Sequence, residues 1–387
     1  MRLFALFLLY AASGTAQSTG LSFVPALTTG KLPMLAYGQG SDRLGGAKSG
    51  YIDTGVLIKV IDSTEGMYLV RLSAVHTAYL NKENVQPHPA YKAGQFYLTN
   101  SWSVKGDENF DFLIINVDER LPYRSWMEIN PSKIVVELYG VQSNTNWITQ
   151  LRSAKEIASV DINQSEDDVV RATINLKHKQ HWGYSIHYDN KNLVIRVRRQ
   201  PENLQLKNLK IAIDAGHGGT NTGAVGIKSK TFEKDYTVRF ADELRQVLRG
   251  KKAEVSLTRT SDSNILNVDR VIRLQQELPN VLISLHLNSS ANPAVKGVST
   301  YYKHIGFKPL TSSLLDRLLE LNLNEFGNVG NFNFAIVAPT DFPSALVEIA
   351  FISNEEDEKR IMDPRFQRMV AKKIYRGIKD WLRQVRE

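Results

Sequence analysis

The chain has 387 residues, no cysteine, and 48 Lys and Arg against 40 Asp and Glu, giving a formal charge of +8. Lack of cysteine excludes a thiol nucleophile, a Cys-ligated zinc, a disulfide and a lipid-anchored lipoprotein cysteine, leaving His and carboxylates as metal ligands. The modest positive charge suits a soluble basic protein that can meet an anionic polymer, nucleic acid is not an expected partner, and the length allows two or three domains.

In chain order, Arg2 opens a short basic region, residues 3–10 are apolar, and Gly14-Thr15-Ala16 offers small residues for cleavage. That pattern predicts a secretory signal peptide over 1–16, and with no later apolar span the mature protein is expected to be exported without an integral membrane segment. Residues 17–30, rich in Ser, Thr and Gly, are expected to be a flexible leader. Over 31–86, Val56, Ile58 and Val60 alternate before the turn Ser63-Thr64-Glu65-Gly66, and Tyr68, Val70 and Leu72 alternate after it. With Thr77-Ala78-Tyr79-Leu80 as a closing strand, this resembles a bacterial Src-homology-3-like barrel.

A linker at Gln86-Pro87-His88-Pro89 leads to a second β-rich region over 96–200, with strands expected over 111–118, 133–138, 169–176 and 193–197. The pattern resembles the AMIN β-sandwich that places wall amidases on their substrate. Tyr123, Trp126, Trp147, Trp182 and Tyr184 are expected mainly as core aromatics, with stacking on sugars as the alternative.

From 208 to 387 the pattern changes. Strands are expected over 210–214, 253–258, 281–286, 298–302 and 345–351, interleaved with helices over 233–248, 267–278, 310–325 and 365–384. The first helix has Phe232, Tyr236, Phe240, Leu244 and Leu248 at fourfold spacing. The alternation predicts an α/β domain, a mostly parallel sheet covered by helices on both faces, preceded by two all-β domains. Such sheets bind ligands beyond the carboxyl ends of their strands.

Four residues fall at those ends or at a helix start. His217 lies in a glycine-rich turn after an apolar strand, Glu233 opens a helix, His286 closes the strand over 281–286, and Glu348 interrupts an apolar run. Each has a plainer explanation alone: a strand-end His is usually a satisfied polar group, and a helix-start acid answers the macrodipole. Glu348 is the least ordinary, because a lone carboxylate in an apolar run needs a compensating partner. Gly218, Gly219 and Gly223 could cradle a phosphate, but the Lys-Ser/Thr of a phosphate loop is missing. Two His and a carboxylate suit a catalytic zinc with an open position, and a further carboxylate can serve as base.

Asp214-Ala215-Gly216-His217-Gly218-Gly219, Glu233-Lys234, Leu257-Thr258-Arg259, Ser284-Leu285-His286-Leu287-Asn288 and Leu346-Val347-Glu348-Ile349-Ala350-Phe351-Ile352-Ser353-Asn354 occur in that order. Together they resemble the zinc-dependent N-acetylmuramoyl-L-alanine amidases of bacterial cell walls. The resemblance implies that His217, Glu233 and His286 bind Zn2+, that Glu348 is the catalytic carboxylate, and that the bond cut joins N-acetylmuramic acid to L-alanine in peptidoglycan. It also implies a place in cell-wall remodelling or daughter-cell separation, a periplasmic or envelope location, and a possible protein activator. The chain departs from the family at Leu287 and Ser289, and residues 327–333 are unusually rich in Gly and Asn. The alternatives are a zinc carboxypeptidase acting on the stem peptide and a non-catalytic peptidoglycan-binding protein. The two β-domains are expected to hold or place the enzyme on peptidoglycan, so deleting residues 17–200 should weaken wall binding while sparing hydrolysis of a small soluble muropeptide.

Overall fold

The computed structural model describes residues 22–40, 45–92 and 95–386, so the signal-peptide expectation over 1–16 lies outside the described residues. The first unit is an antiparallel path of seven strands, ordered Lys48–Tyr51, Met34–Ala36, Thr77–Asn81, Met67–Arg71, Leu57–Ser63, Val24–Thr28, Val85–Pro87. Val24–Thr28, which falls in the expected leader, pairs on one side with Leu57–Ser63 and on the other with Val85–Pro87. Its alternating burial explains why: Ala26 and Thr28 face inward and are nearly fully buried.

The second unit stacks two sheets. One is ordered Tyr123–Glu128, Lys133–Tyr139, Val169–Leu176, Ile157–Glu166; the other contains Leu98–Gly106, Phe110–Val117, Asn192–Arg198 and Tyr184–Asp189. Phe110–Val117 alternates half-buried and buried along its whole length, the pattern of a strand with one face on a core. Tyr123, Trp182 and Tyr184 are buried, whereas Trp147 is 64% exposed.

The third unit is a six-stranded sheet ordered Glu254–Leu257, Lys210–Ala215, Val281–Asn288, Ser344–Phe351, Val298–Tyr301, Glu325–Val329. Val281–Asn288 is buried at every position before Asn288, as expected for a strand covered on both faces. Five helices accompany the sheet: α1 (Glu233–Arg249), α2 (Asn267–Glu277), α3 (Lys308–Leu319), α4 (Glu355–Met362) and α5 (Pro364–Gln384). Helix α5 starts with Asp363 accepting from the Arg365 amide and Pro364 in the first turn, and it buries Phe366, Val370, Ile374, Ile378 and Trp381. Each such side chain contributes roughly 1.5–3 kcal/mol by leaving water.

The expected class, a mostly parallel sheet covered by helices on both faces, does not describe this structure. The described residues are strand-rich, 38% strand against 23% helix, with several antiparallel sheets in the N-terminal region. The third sheet is mixed, because Val298–Tyr301 runs antiparallel to Ser344–Phe351 while pairing in parallel with Glu325–Val329. The loop 289–297 contains no helix, and without a long crossover the chain turns back instead of returning parallel. The helices are also unevenly divided. Apolar residues of α1, α3 and α5 pack on Ile211, Ile213, Ile283 and Val347. The opposite face, with Ala212, Leu282 and Leu346, is covered by Val271 and Leu274 of α2, by the loop residues Ile336, Val337 and Phe342, and by Leu32 and Tyr51 from the first unit. The helix expected to reach 325 ends at Leu319. Asn322 takes a left-handed φ of 54° and a short strand, Glu325–Val329, follows. Helix α4 was not anticipated; Asn354 caps it by accepting from the Glu356 and Asp357 amides.

Candidate metal centre

Lys210–Ala215 ends in the turn that carries His217, which has a φ of 63°, unusual for a residue with a Cβ. Two buried arginines hold that turn. Arg259 donates to the carbonyls of Ala215 (2.9 Å), Gly216 (2.8 Å) and Lys234 (2.7 Å), tying the strand end to the first turn of α1. Arg270 of α2 donates to Asp214 Oδ1 at 2.7 Å, to the Ala215 carbonyl at 2.8 Å and to the His217 carbonyl. Asp214 also accepts from the hydroxyls of Thr258 and Ser284, both at 2.7 Å. Burial opposes ionisation of Asp214, but the Arg270 charge, with His286 and these hydroxyls, outweighs it and holds the carboxyl below its usual 3.8.

The three expected ligands converge. Glu233 Oε1 lies 3.1 Å from His217 Nε2 and 3.0 Å from His286 Nδ1, and the two nitrogens are 3.1 Å apart. A tetrahedral zinc with ~2.0–2.1 Å bonds needs ligand atoms about 3.3 Å apart, so this triangle fits one small cation. His217 Nδ1 lies 2.9 Å from Asn221 Oδ1, an acceptor that fixes the proton on Nδ1 and leaves the Nε2 lone pair for a metal. Glu233 is oriented by backbone amides: Leu287 N–H donates to Oε1 and Ala224 N–H to Oε2, each at 2.8 Å. Burial opposes its charge, but hydrogen bonds from His217 and His286 hold its carboxyl far below the usual range. Glu233 likewise raises the His217 imidazole above its ordinary 6.5, against the opposing effect of burial.

Glycines make room for this packing. A Cβ on Gly216 would lie 2.3 Å from His286 Cε1. One on Gly223, whose φ is +68°, would lie 2.5 Å from Glu233 Oε2. Glu348 is the residue opposite His286 on the adjacent parallel strand, and an irregularity in the ladder follows directly after that pair. The side of His286 is met by Phe334, with ring centroids 5.4 Å apart and planes at 90°. Of the residues the sequence singled out, the structure brings His217, Glu233 and His286 together and sets Glu348 opposite His286; Asp214, Asn221, Arg259 and Arg270, which brace them, were missed. The argument used for Glu348, a carboxylate within an apolar run, applied equally to Asp214 in Ile211-Ala212-Ile213-Asp214-Ala215.

Two imidazoles and one carboxylate, gathered at strand ends beneath a glycine turn, form a candidate centre for a single divalent metal of the hydrolytic kind. Residues 211–380 match the model of the N-acetylmuramoyl-L-alanine amidase family, and residues 102–197 match the AMIN domain. A probable cell wall amidase LytH of Staphylococcus saprophyticus is 27% identical over 284 residues, covering 73% of this chain and 88% of that protein. Its namesake from Staphylococcus epidermidis is 30% identical over 191 residues, 49% of this chain and 64% of that protein. Among solved structures, the catalytic domain of the amidase CwlV from Bacillus (Paenibacillus) polymyxa is 33% identical, with a TM-score of 0.44 over 45% of this chain and 98% of that one. The CwlD amidase from Clostridioides difficile, solved with the GerS lipoprotein, is 26% identical with a TM-score of 0.43, over 46% of this chain and 100% of that one. Residues 211–380 form a domain of the N-acetylmuramoyl-L-alanine amidase family: the chain is an amidase that also carries an AMIN domain.

Proposed function

We propose that this protein is a zinc-dependent hydrolase that cuts the amide between N-acetylmuramic acid and the L-alanine of the stem peptide in peptidoglycan. The observation that carries the reading is the 3.0–3.1 Å triangle of His217, Glu233 and His286 at the strand ends of a domain matching the amidase family. Zinc held by these three residues would supply Lewis-acid polarisation and a water of pKa about 7. Glu348, across the sheet from His286, accepts the proton of the attacking water as general base and passes it to the departing amine of L-alanine. Asn221 and the amides of Ala224 and Leu287 keep His217 and Glu233 in one orientation throughout.

The AMIN domain supports an extracytoplasmic place of work on the wall, in remodelling or daughter-cell separation. Among the described residues no helix is long and apolar enough to cross a membrane. The test is mass spectrometry of purified peptidoglycan digested by the zinc-loaded protein. Intact stem peptides beginning with L-alanine are expected. Released D-amino acids would point instead to a carboxypeptidase. Zinc-loaded protein that releases nothing would sink the reading as it stands, unless addition of an envelope extract restored cleavage through an activator.

A further inference from the structure

The loop 330–342 crosses the face of the catalytic sheet that α2 leaves open, and it carries Phe334 to the ring of His286. Phe334 is supported in turn by Phe332, stacked at 5.9 Å, which packs on Tyr301 at 4.5 Å. Loops rarely keep a ring in one place unaided. Here both accessory units hold this one.

The first unit grips Asn333. The Lys48 amide donates to Asn333 Oδ1 at 2.8 Å, Asn333 Nδ2 donates to the Gly46 carbonyl at 2.7 Å, and Lys48 Nζ donates to the Asn333 carbonyl at 3.1 Å. Lys303 of the catalytic domain returns a bond to the Lys48 carbonyl at 3.0 Å. The β-sandwich grips the other end of the loop. The Tyr184 amide donates to the Thr340 carbonyl at 2.8 Å, and the Thr340 hydroxyl donates to the Tyr184 carbonyl at 2.7 Å. Gly183 lets the two backbones touch, since a Cβ there would lie 2.3 Å from the Asp341 carbonyl oxygen.

We propose that the two N-terminal β units help shape the active site, with Asn333 and Thr340 as positioning residues that fix Phe334 against the ring of His286. A placement role alone leaves these contacts unexplained, because a wall anchor needs no bond to the loop beside the metal ligands. The inference rests on the amidase reading for its catalytic consequence, but the loop geometry stands without it.

The experiment uses the full chain with histidine labelled at Cε1. Nuclear magnetic resonance of the metal-free protein follows the His286 ring proton, and steady-state kinetics on a soluble muropeptide follow kcat and KM with zinc bound. Phe334→Ala establishes the resonance position when the ring contact is lost. Asn333→Ala and Thr340→Val are expected to move the resonance the same way and to lower kcat about tenfold, with KM and bound zinc little changed. Thr340→Ser, which keeps the hydroxyl, should restore most of both signals. If Phe334→Ala moves the resonance while Asn333→Ala and Thr340→Val leave it and kcat as in the wild type, the clamp is overturned. A wild-type chain that bound no zinc and cut no muropeptide would sink the amidase reading, and the resonance of the metal-free protein would still decide the clamp.

Discussion

His286 and Glu348 stand opposite each other on neighbouring parallel strands, the first a corner of the candidate ligand triangle. The ladder loses register immediately beyond them, where Asn288 pairs with Phe351. Such irregularities at strand ends re-aim side chains beside functional sites. Glu348→Gln keeps shape and volume but cannot accept a proton. Bound zinc should stay equimolar while turnover falls about 10²–10⁴-fold, read by metal analysis beside release of L-alanine-terminated peptides. A variant that turns over normally would remove Glu348 from the base role.

Metal removal separates ligands from base. Dialysis against a chelator should abolish cleavage, and added Zn2+ should restore it. His217→Ala and His286→Ala should lose both zinc and activity, whereas Asn221→Ala should weaken zinc affinity about 10–100-fold by freeing the His217 ring. Competition with a colorimetric chelator measures this, and unchanged affinity in the Asn221 variant would end its orienting role.

Gly223→Ala tests how tightly the turn packs on the carboxylate. The added methyl meets Glu233 Oε2 at 2.5 Å and forces a left-handed φ on an L-residue, so zinc affinity and thermal midpoint should both drop. A variant that binds zinc like the parent would contradict tight packing of Gly223 on Glu233.

The buried Asp214–Arg270 pair sets an acid limit. Arg270 holds the Asp214 pKa below 3.8 against the effect of burial. Its contribution to stability is therefore present above about pH 4 and is lost as pH falls through the depressed folded value. Arg270→Met leaves a buried carboxylate unpaired and should cost about 3–5 kcal/mol at neutral pH. The deficit should shrink as pH falls toward 3.5, because the unpaired buried Asp214 of the variant takes up a proton there while the parent's carboxylate, held down by Arg270, stays ionised to lower pH. Urea unfolding at pH 7 and pH 3.5 compares the two, and an equal deficit at both would contradict the assignment.

Much of the site was legible because its signals are local. An apolar strand breaking into Gly216-His217-Gly218-Gly219, a strand closing on His286 and a carboxylate inside 345–351 each violate their neighbourhood in a short window. Periodicity likewise located α1, α2 and α5 to within a few residues. The direction of Val298–Tyr301 was not legible, since a strand's own sequence reads the same whether it pairs in parallel or antiparallel. Nor was the strand Val24–Thr28, whose inward residues include Thr28 and whose partners lie at 57–60 and 85–87.

By itself, then, the sequence determined which groups a site can draw on: with no cysteine to offer, imidazoles and carboxylates are the atoms that can hold a metal. Only the tertiary structure decided how those residues are held. Arg270 reaching Asp214 and the His217 carbonyl, Asn333 gripped by residues 46–48, and Thr340 paired with Tyr184 are contacts between segments far apart in the chain. Their physical reason is packing: hydrogen-bond partners of a loop or buried charge are chosen by whatever surface folds against it, and no local pattern encodes that surface.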